Sequence, residues 1–312
     1  LPPWASFNPP MWKIYCGPWM PGQKNNPSRH LRWLVTRLLL IFVLAWTFSL
    51  GGLSAIYVRS LMVPPCPASP AERPGYQSVT IATSDGYHLR GWWRPPQNGA
   101  VILLLAGNGG SRDSMLGDAE LLARHGYGIL TLEYRNCQGG AATLGYREAT
   151  DLAAMLDFAQ SQPGVAWVGV LGFSAGGAAA ILGAADLPGI DAVVAEGHYA
   201  SLHYEITNAN SPVLSPAWQV QQWVVGLFWV ALGHSPRQIS PLDTLPHLAP
   251  RPVLLIFGEF EADNNRAFVQ LAAAGPAAQM WIVPGAGHGG YAQLAPLEYE
   301  QRIIAFFDSA RH

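Results

Sequence analysis

From Tyr76 to the C-terminus, short apolar runs alternate with longer stretches in which apolar residues return every three or four positions. The short runs, at 79–83, 91–94, 100–105, 128–134, 166–171, 191–195, 252–257 and 279–283, read as strands. The stretches at 113–125, 146–160, 175–185, 264–274 and 293–310 read as helices. Two early strands followed by regular strand–helix alternation predict an α/β fold. Its sheet would be mostly parallel with an antiparallel edge and helices on both faces. In such a sheet functional residues gather at the carboxyl ends of the strands.

The alternation breaks at two places. Residues 38–58 form a run of 21 without a formal charge, long enough to cross the hydrocarbon core as a helix. This predicts a transmembrane anchor. A cleaved signal peptide is the alternative, with Leu53-Ser54-Ala55 as a small-residue site, although the run is long for a signal sequence. Lys13, Lys24, Arg29, Arg32 and Arg37 precede the run and only Arg59 follows it closely. The positive-inside rule then places the N-terminus in the cytoplasm and the rest of the chain outside. Residues 1–37 are expected to be a disordered tail, 59–75 an extended Pro-rich linker, and 76–312 the folded domain. The second break, at about 199–248, carries Trp218, Trp223 and Trp229 among Val220, Val224, Leu227, Phe228 and Leu232 at helical spacing. It predicts a lid inserted before the seventh strand, with ordinary core packing as the competing reading.

Composition narrows the class further. Half of the residues are apolar and 12% are charged, enough for a large core. All 20 acidic residues lie beyond position 71, whereas six of the 18 Lys and Arg precede position 60, leaving −8 on the folded part. That balance argues against a nucleic-acid partner. No CxxC, HExxH or acidic calcium loop occurs, and the Gly-x-Gly-x-x-Gly spelling at Gly285–Gly290 follows the last strand with no further strand to complete a βαβ unit, so neither a metal nor a dinucleotide cofactor is expected. Cys66 and Cys137 both follow the apolar run and are able to pair in an oxidising compartment, but spacing alone establishes no disulfide.

The chemistry begins at Gly172-Phe173-Ser174-Ala175-Gly176, which follows an apolar run and opens an Ala/Gly-rich helix. This is the pattern of a nucleophile elbow: the serine sits on a strained turn so tight that side chains two positions away would clash. Gly107-Asn108-Gly109-Gly110-Ser111 directly follows the 100–105 run. It is positioned to aim the Asn108 N–H, with that of Ala175, at a developing oxyanion. A flexible Gly-rich turn or a phosphate cradle is the alternative, but the Gly-Lys-Ser/Thr ending of a P-loop is missing. The chain order serine, acid, histidine points to His288, in the glycine-rich loop 284–290 after the last strand. Three carboxylates, Glu259, Glu261 and Asp263, crowd the turn after 252–257. Of the other histidines, His198 draws notice because it follows the strand ending at Glu196.

Asp85-Gly86 with Gly91-Trp92, the Asn108 turn, Glu133-Tyr134-Arg135, the Ser174 elbow, the segment from Arg251 to Ile256 and the His288 loop together resemble the α/β-hydrolase superfamily. More narrowly they look like its membrane-anchored, dienelactone-hydrolase-like or BEM46-like members. The resemblance implies Glu261 as the acid, three residues after the strand-ending Gly258, with Asp263 and Glu196 as alternatives. Asp263 is also placed to cap the following helix. Two departures stand out: Ala106 where many relatives carry His, and Asn136-Cys137-Gln138-Gly139 after Tyr134-Arg135. The function implied is a serine hydrolase of carboxylic esters with a Ser174, Glu261, His288 triad, and the aromatic, mostly uncharged lid favours apolar acyl groups. Peptidase, amidase or thioesterase chemistry on the same residues remains open, as does a non-catalytic binding protein on the same fold.

Overall fold

A computed structural model describes residues 27–207 and 211–311. The chain divides into two units, residues 1–48 and 49–312. The second is built on an eight-stranded sheet: β1 (Gln77–Ala82), β2 (His88–Arg94), β3 (Ala100–Leu105), β4 (Gly128–Leu132), β5 (Trp167–Phe173), β6 (Ala192–Glu196), β7 (Val253–Gly258) and β8 (Ala278–Val283). The spatial order is β1-β2-β4-β3-β5-β6-β7-β8. β1 and β2 are antiparallel, β2 meets β4 antiparallel, and every pairing from β4 to β8 is parallel. Strands β3, β4, β6 and β7 are buried along their whole length, as expected for parallel strands covered on both faces.

The helices are α1 (Pro27–Met62), α2 (Leu116–Arg124), α3 (Glu148–Ser161), α4 (Ala175–Asp186), α5 (Leu202–Thr207), α6 (Pro216–Leu232), α7 (Pro241–Thr244), α8 (Ala267–Ala274), α9 (Tyr291–Leu294) and α10 (Pro296–Ala310). One core layer joins the sheet to α3, α4 and α8 through Leu152, Met155, Ala180, Ile181, Leu255 and Phe257. The opposite layer joins it to α2 and α10 through Leu122, Ile129, Ile303 and Phe307. A third cluster, with Val58, Val224, Phe228 and Leu232, holds α6 to the last turns of α1.

Three expectations are revised. The expected tail and anchor, 1–37 and 38–58, fall partly on one helix, because α1 already begins at Pro27, a residue well suited to a first helical turn. Residues 1–26 of that tail lie outside the described residues. Helix α1 also runs on to Met62, so the 59–75 segment begins helical and becomes irregular only from Val63. That segment is fastened to the domain rather than hanging from it. Cys66 is disulfide-bonded to Cys137, Ser69 donates to Asp113 at 2.7 Å, and Arg112 reaches the Pro70 carbonyl at 2.6 Å. Among the described residues α1 is the one helix long and apolar enough to cross a membrane, a test that a signal sequence also passes.

Candidate active site

The site is assembled where β5 turns into α4. Ser174 has φ 56° and ψ −120°, a backbone conformation that few L-residues adopt. The flanking glycines make the turn physically possible. A Cβ on Gly172 would come within 2.2 Å of the Gly176 carbonyl oxygen, and one on Gly176 within 2.2 Å of the Leu105 carbonyl oxygen. The Ser174 N–H donates to the Glu196 carbonyl at 2.7 Å, which ties the elbow to β6.

His288 and Glu261 come from the loops after β8 and β7, both at the carboxyl edge of the sheet. His288 Nε2 lies 3.0 Å from Ser174 Oγ, and its Nδ1 lies 2.7 Å from Glu261 Oε2. The Phe173 ring packs against the imidazole, centroid to centroid at 5.0 Å. Glu261 is fixed by three further donors: the Gly258 N–H at 3.0 Å, Asn265 Nδ2 at 3.2 Å and the Tyr291 hydroxyl. Burial pushes the Glu261 carboxyl up, but the hydrogen bonds from His288, Gly258 and Tyr291 and the His288 charge outweigh it and hold the carboxyl below its ordinary range. The hydrogen bond to Glu261 raises His288 above an ordinary imidazole; burial opposes it, and the charges of Glu261 and Glu205 add to it.

The other acid candidates are elsewhere. Glu196 is buried, and the Tyr299 hydroxyl lies between it and Asp118, 2.8 Å from Glu196 Oε1 and 2.7 Å from Asp118 Oδ1. Burial, with the nearby Asp118, pushes Glu196 well above a normal carboxylate, so it sits in its own buried network. Asp263 is exposed and does not cap α8; that position is Arg266, in the left-handed region without a side-chain cap. The cap fails because the chain stays in turn conformation through Arg266, so α8 starts only at Ala267. Glu259 accepts from the Gly285 N–H at 2.7 Å and bridges two loops. His198 is fully buried, bonded to Gln270 at 3.0 Å and packed against the tilted Phe257 ring, and burial lowers it to about 4. It is a packed neutral side chain and does not join His288.

Asn108 and Ala175 both line a cavity of ≈ 300 Å³ that opens at Ser174. Ala175 is the first residue of α4, where an N–H has no acceptor within its own helix. Asn108 is held through its side chain, which donates to the Leu61 carbonyl at 3.0 Å. Tyr134 donates its hydroxyl to the Ala106 carbonyl, fixing the same turn from beneath. The rest of the wall is mostly apolar or aromatic, with Tyr57, Leu61, Leu144, Tyr199, Val220 and Val224. Glu205 is the one formally charged lining residue, raised by burial, and no Lys or Arg is among them. Helix α6, within the expected lid, thus forms cavity wall while its Val224, Phe228 and Leu232 are buried, so both readings of that segment apply to it.

Sequence reasoning did not single out Tyr291, Asn265 or Glu205, and it met Tyr134 only as part of the Glu133-Tyr134-Arg135 stretch. Tyr291 and Asn265 carry no motif of their own; Asn265 shares the turn after β7 with Glu261, and Tyr291 reaches it only when the segment after β8 folds against that turn. Glu205 had a faint signal, as the last charge before a long uncharged stretch. The described residues contain no cluster of His, Cys, Asp and Glu able to hold a metal.

A strained serine, an imidazole and a held carboxylate in hydrogen-bonded line are able to activate a hydroxyl for attack on a carbonyl. The strand order and the elbow define an α/β hydrolase, and residues 102–302 match the Alpha/beta hydrolase family, to which the chain belongs. An esterase from Pyrococcus furiosus is similar over 80% of this chain and 98% of its own, with 24% identity and a TM-score of 0.64. A dienelactone hydrolase from Anabaena variabilis is similar over 76% and 99%, with 21% identity and a TM-score of 0.54. A hypothetical protein from Pseudomonas aeruginosa is similar over 78% and 96%, with 20% identity and a TM-score of 0.58. At these identities the likeness is one of fold. No curated protein matches the chain in sequence.

Proposed function

We propose that this hydrolase is a membrane-anchored serine esterase acting on neutral, apolar acyl substrates. The observation that carries the reading is the unbroken line from Ser174 Oγ through His288 to Glu261, at 3.0 and 2.7 Å. Ser174 Oγ attacks the ester carbonyl carbon while its proton passes to His288 Nε2. Glu261 keeps the Nδ1–H oriented and offsets the imidazolium charge. The Asn108 and Ala175 amides donate to the oxyanion. Collapse of that intermediate expels the alcohol, which takes the proton from His288, and water then releases the acid by the same steps in reverse.

Two features support the substrate class. The cavity wall is largely apolar, and Glu205 would repel an ester carrying its own carboxylate, with no lining cation to receive one. The esterase among the structural relatives agrees with the reaction type.

For the anchor, the support is α1 itself, with Arg29, Arg32 and Arg37 ahead of the uncharged run. The Cys66–Cys137 disulfide fits a catalytic unit outside the reducing cytoplasm.

The test is turnover of a p-nitrophenyl ester series by the full chain. Neutral esters should be hydrolysed, Ser174→Ala should lower kcat by about 10⁴-fold or more, and a hemisuccinate ester should be a poor substrate. Undiminished hydrolysis by Ser174→Ala would remove the basis of the proposal.

A further inference from the structure

The uncharged run 38–58 is divided by the fold: the catalytic unit begins at Ser49. Within that unit Leu50, Ser54 and Val58, one helical turn apart, are buried at 7, 0 and 5% exposure. Leu53 and Ile56, on the other side of the same helix, stay 62 and 69% exposed. What covers the buried stripe is α6. Ser54 Oγ lies 3.5 Å from the Val220 carbonyl, a Cβ on Gly51 would touch the Trp223 indole at 3.5 Å, and Val58 clusters with Val224 and Phe228.

The length of the run then sets a constraint. A helix needs about 20 apolar residues to cross a hydrocarbon core of about 30 Å. If the bilayer ended where the catalytic unit begins, only the 11 residues 38–48 would remain beyond Arg37, or about 16 Å of helix. That is half of what is needed. The hydrocarbon has to extend past Ser49 toward Val58, and α6, packed on that stretch, goes with it. Trp223, beside Gly51 and thus seven residues short of Val58, then lies about 10 Å inside the boundary.

Helix α6 has the chemistry for this. Between Glu205 and Arg237 the sequence has no Asp, Glu, Lys or Arg. The side of α6 away from the core presents Trp223, Trp229 and Val230, exposed at 40, 58 and 84%, with Val213 and Leu214 bare just ahead of the helix. A helix apolar on its outer as well as its inner face is poorly suited to water.

We propose that α6 is a second membrane element, seated in the extracytoplasmic leaflet against the span. The cavity at Ser174 is walled by Tyr57 and Leu61 of α1 and by Val220 and Val224 of α6. Its acyl chains therefore arrive from the leaflet, and the natural substrate is a membrane-resident ester. The inference rests on the anchor reading above, and the experiment separates the two.

The full chain with Cys16→Ser and Val230→Cys is labelled with an environment-sensitive fluorophore and reconstituted in phosphatidylcholine vesicles. Thr80→Cys, exposed on edge strand β1, is the comparator. Brominated phospholipids should quench the label at position 230 several-fold more than that at 80, and aqueous iodide should do the opposite. Equal iodide quenching at both sites, in protein that stays with the vesicles through a carbonate wash, would overturn the seating of α6 and leave the anchor intact. Release of the protein by the wash would overturn both.

Discussion

At the residue scale the distinctive feature is how firmly Glu261 is held. Four donors converge on one carboxylate, His288, the Gly258 N–H, Asn265 and Tyr291. Such a carboxylate stays ionised and in place, which is what an imidazole that must gain and lose a proton requires. The pH dependence follows with a definite sign. The proposed reaction needs neutral His288, whose proton affinity is raised by Glu261, so kcat/KM should fall on the acid side with a midpoint above that of free imidazole, about 6.5. Glu261→Gln removes the raising charge and should move that midpoint down while lowering kcat by about 10³- to 10⁴-fold. Asp263→Asn, exposed and away from His288, should leave both within about twofold of the parent. Glu196→Gln should act on stability through the Tyr299 and Asp118 network. A pH–rate profile of each variant checks the set, and a near-dead Asp263→Asn with an active Glu261→Gln would reverse the assignment. Much of this was legible beforehand: Ser174 and His288 stand in glycine-rich contexts with a recognisable spacing. Glu261 emerged only through family resemblance, because three carboxylates share its turn. Tyr291 was invisible, since its contact with Glu261 is a meeting of two loops, and Asn265, four residues after Glu261 in the same turn, carries no motif that marks it.

At the scale of elements, the strands were legible because burial on both faces leaves nearly continuous apolar runs, and β3 falls on residues 100–105 as its pattern predicts. Boundaries drifted where the signal was polar or mixed. The 128–134 run ends as strand at Leu132, since Glu133 pairs with Arg90 and Arg112 and the chain turns into the Arg135 network. Pro296 restarts the last helix and splits off α9, which carries Tyr291 to Glu261. The Pro-rich segment after α1 was legible as irregular, whereas its fastening depends on Cys137, 71 residues away. Closing a loop of that length should stabilise the fold by about 4 kcal/mol. Cys66→Ser should therefore lower the unfolding midpoint in denaturant, measured in detergent, and leave kcat nearly unchanged until unfolding begins. An unaltered midpoint would mean that the hydrogen bonds at Ser69 and Arg112 suffice without the disulfide.

At the scale of the whole molecule, an uncharged run within α1 and a net-acidic hydrolase lie on one chain. The sequence pattern separated them at residue 58, while the fold starts the catalytic unit at Ser49. Hydropathy alone cannot make that distinction, because a helix face buried against protein and one facing lipid are equally apolar. With the basic residues before the run, a reporter fused to the C-terminus and active only outside the cytoplasm should be active, and a cytoplasm-only reporter silent. The opposite pattern would invert the proposed topology. The proposed chemistry rests on Ser174 as the nucleophile of an acyl-transfer site, and covalent labelling tests that most directly. The full chain, treated with a fluorophosphonate probe and mapped by peptide mass spectrometry, should carry the label on Ser174 alone. Labelling should fall sharply in His288→Ala. Modification of another serine, such as Ser111 or Ser215, or no modification of a folded protein, would contradict the account.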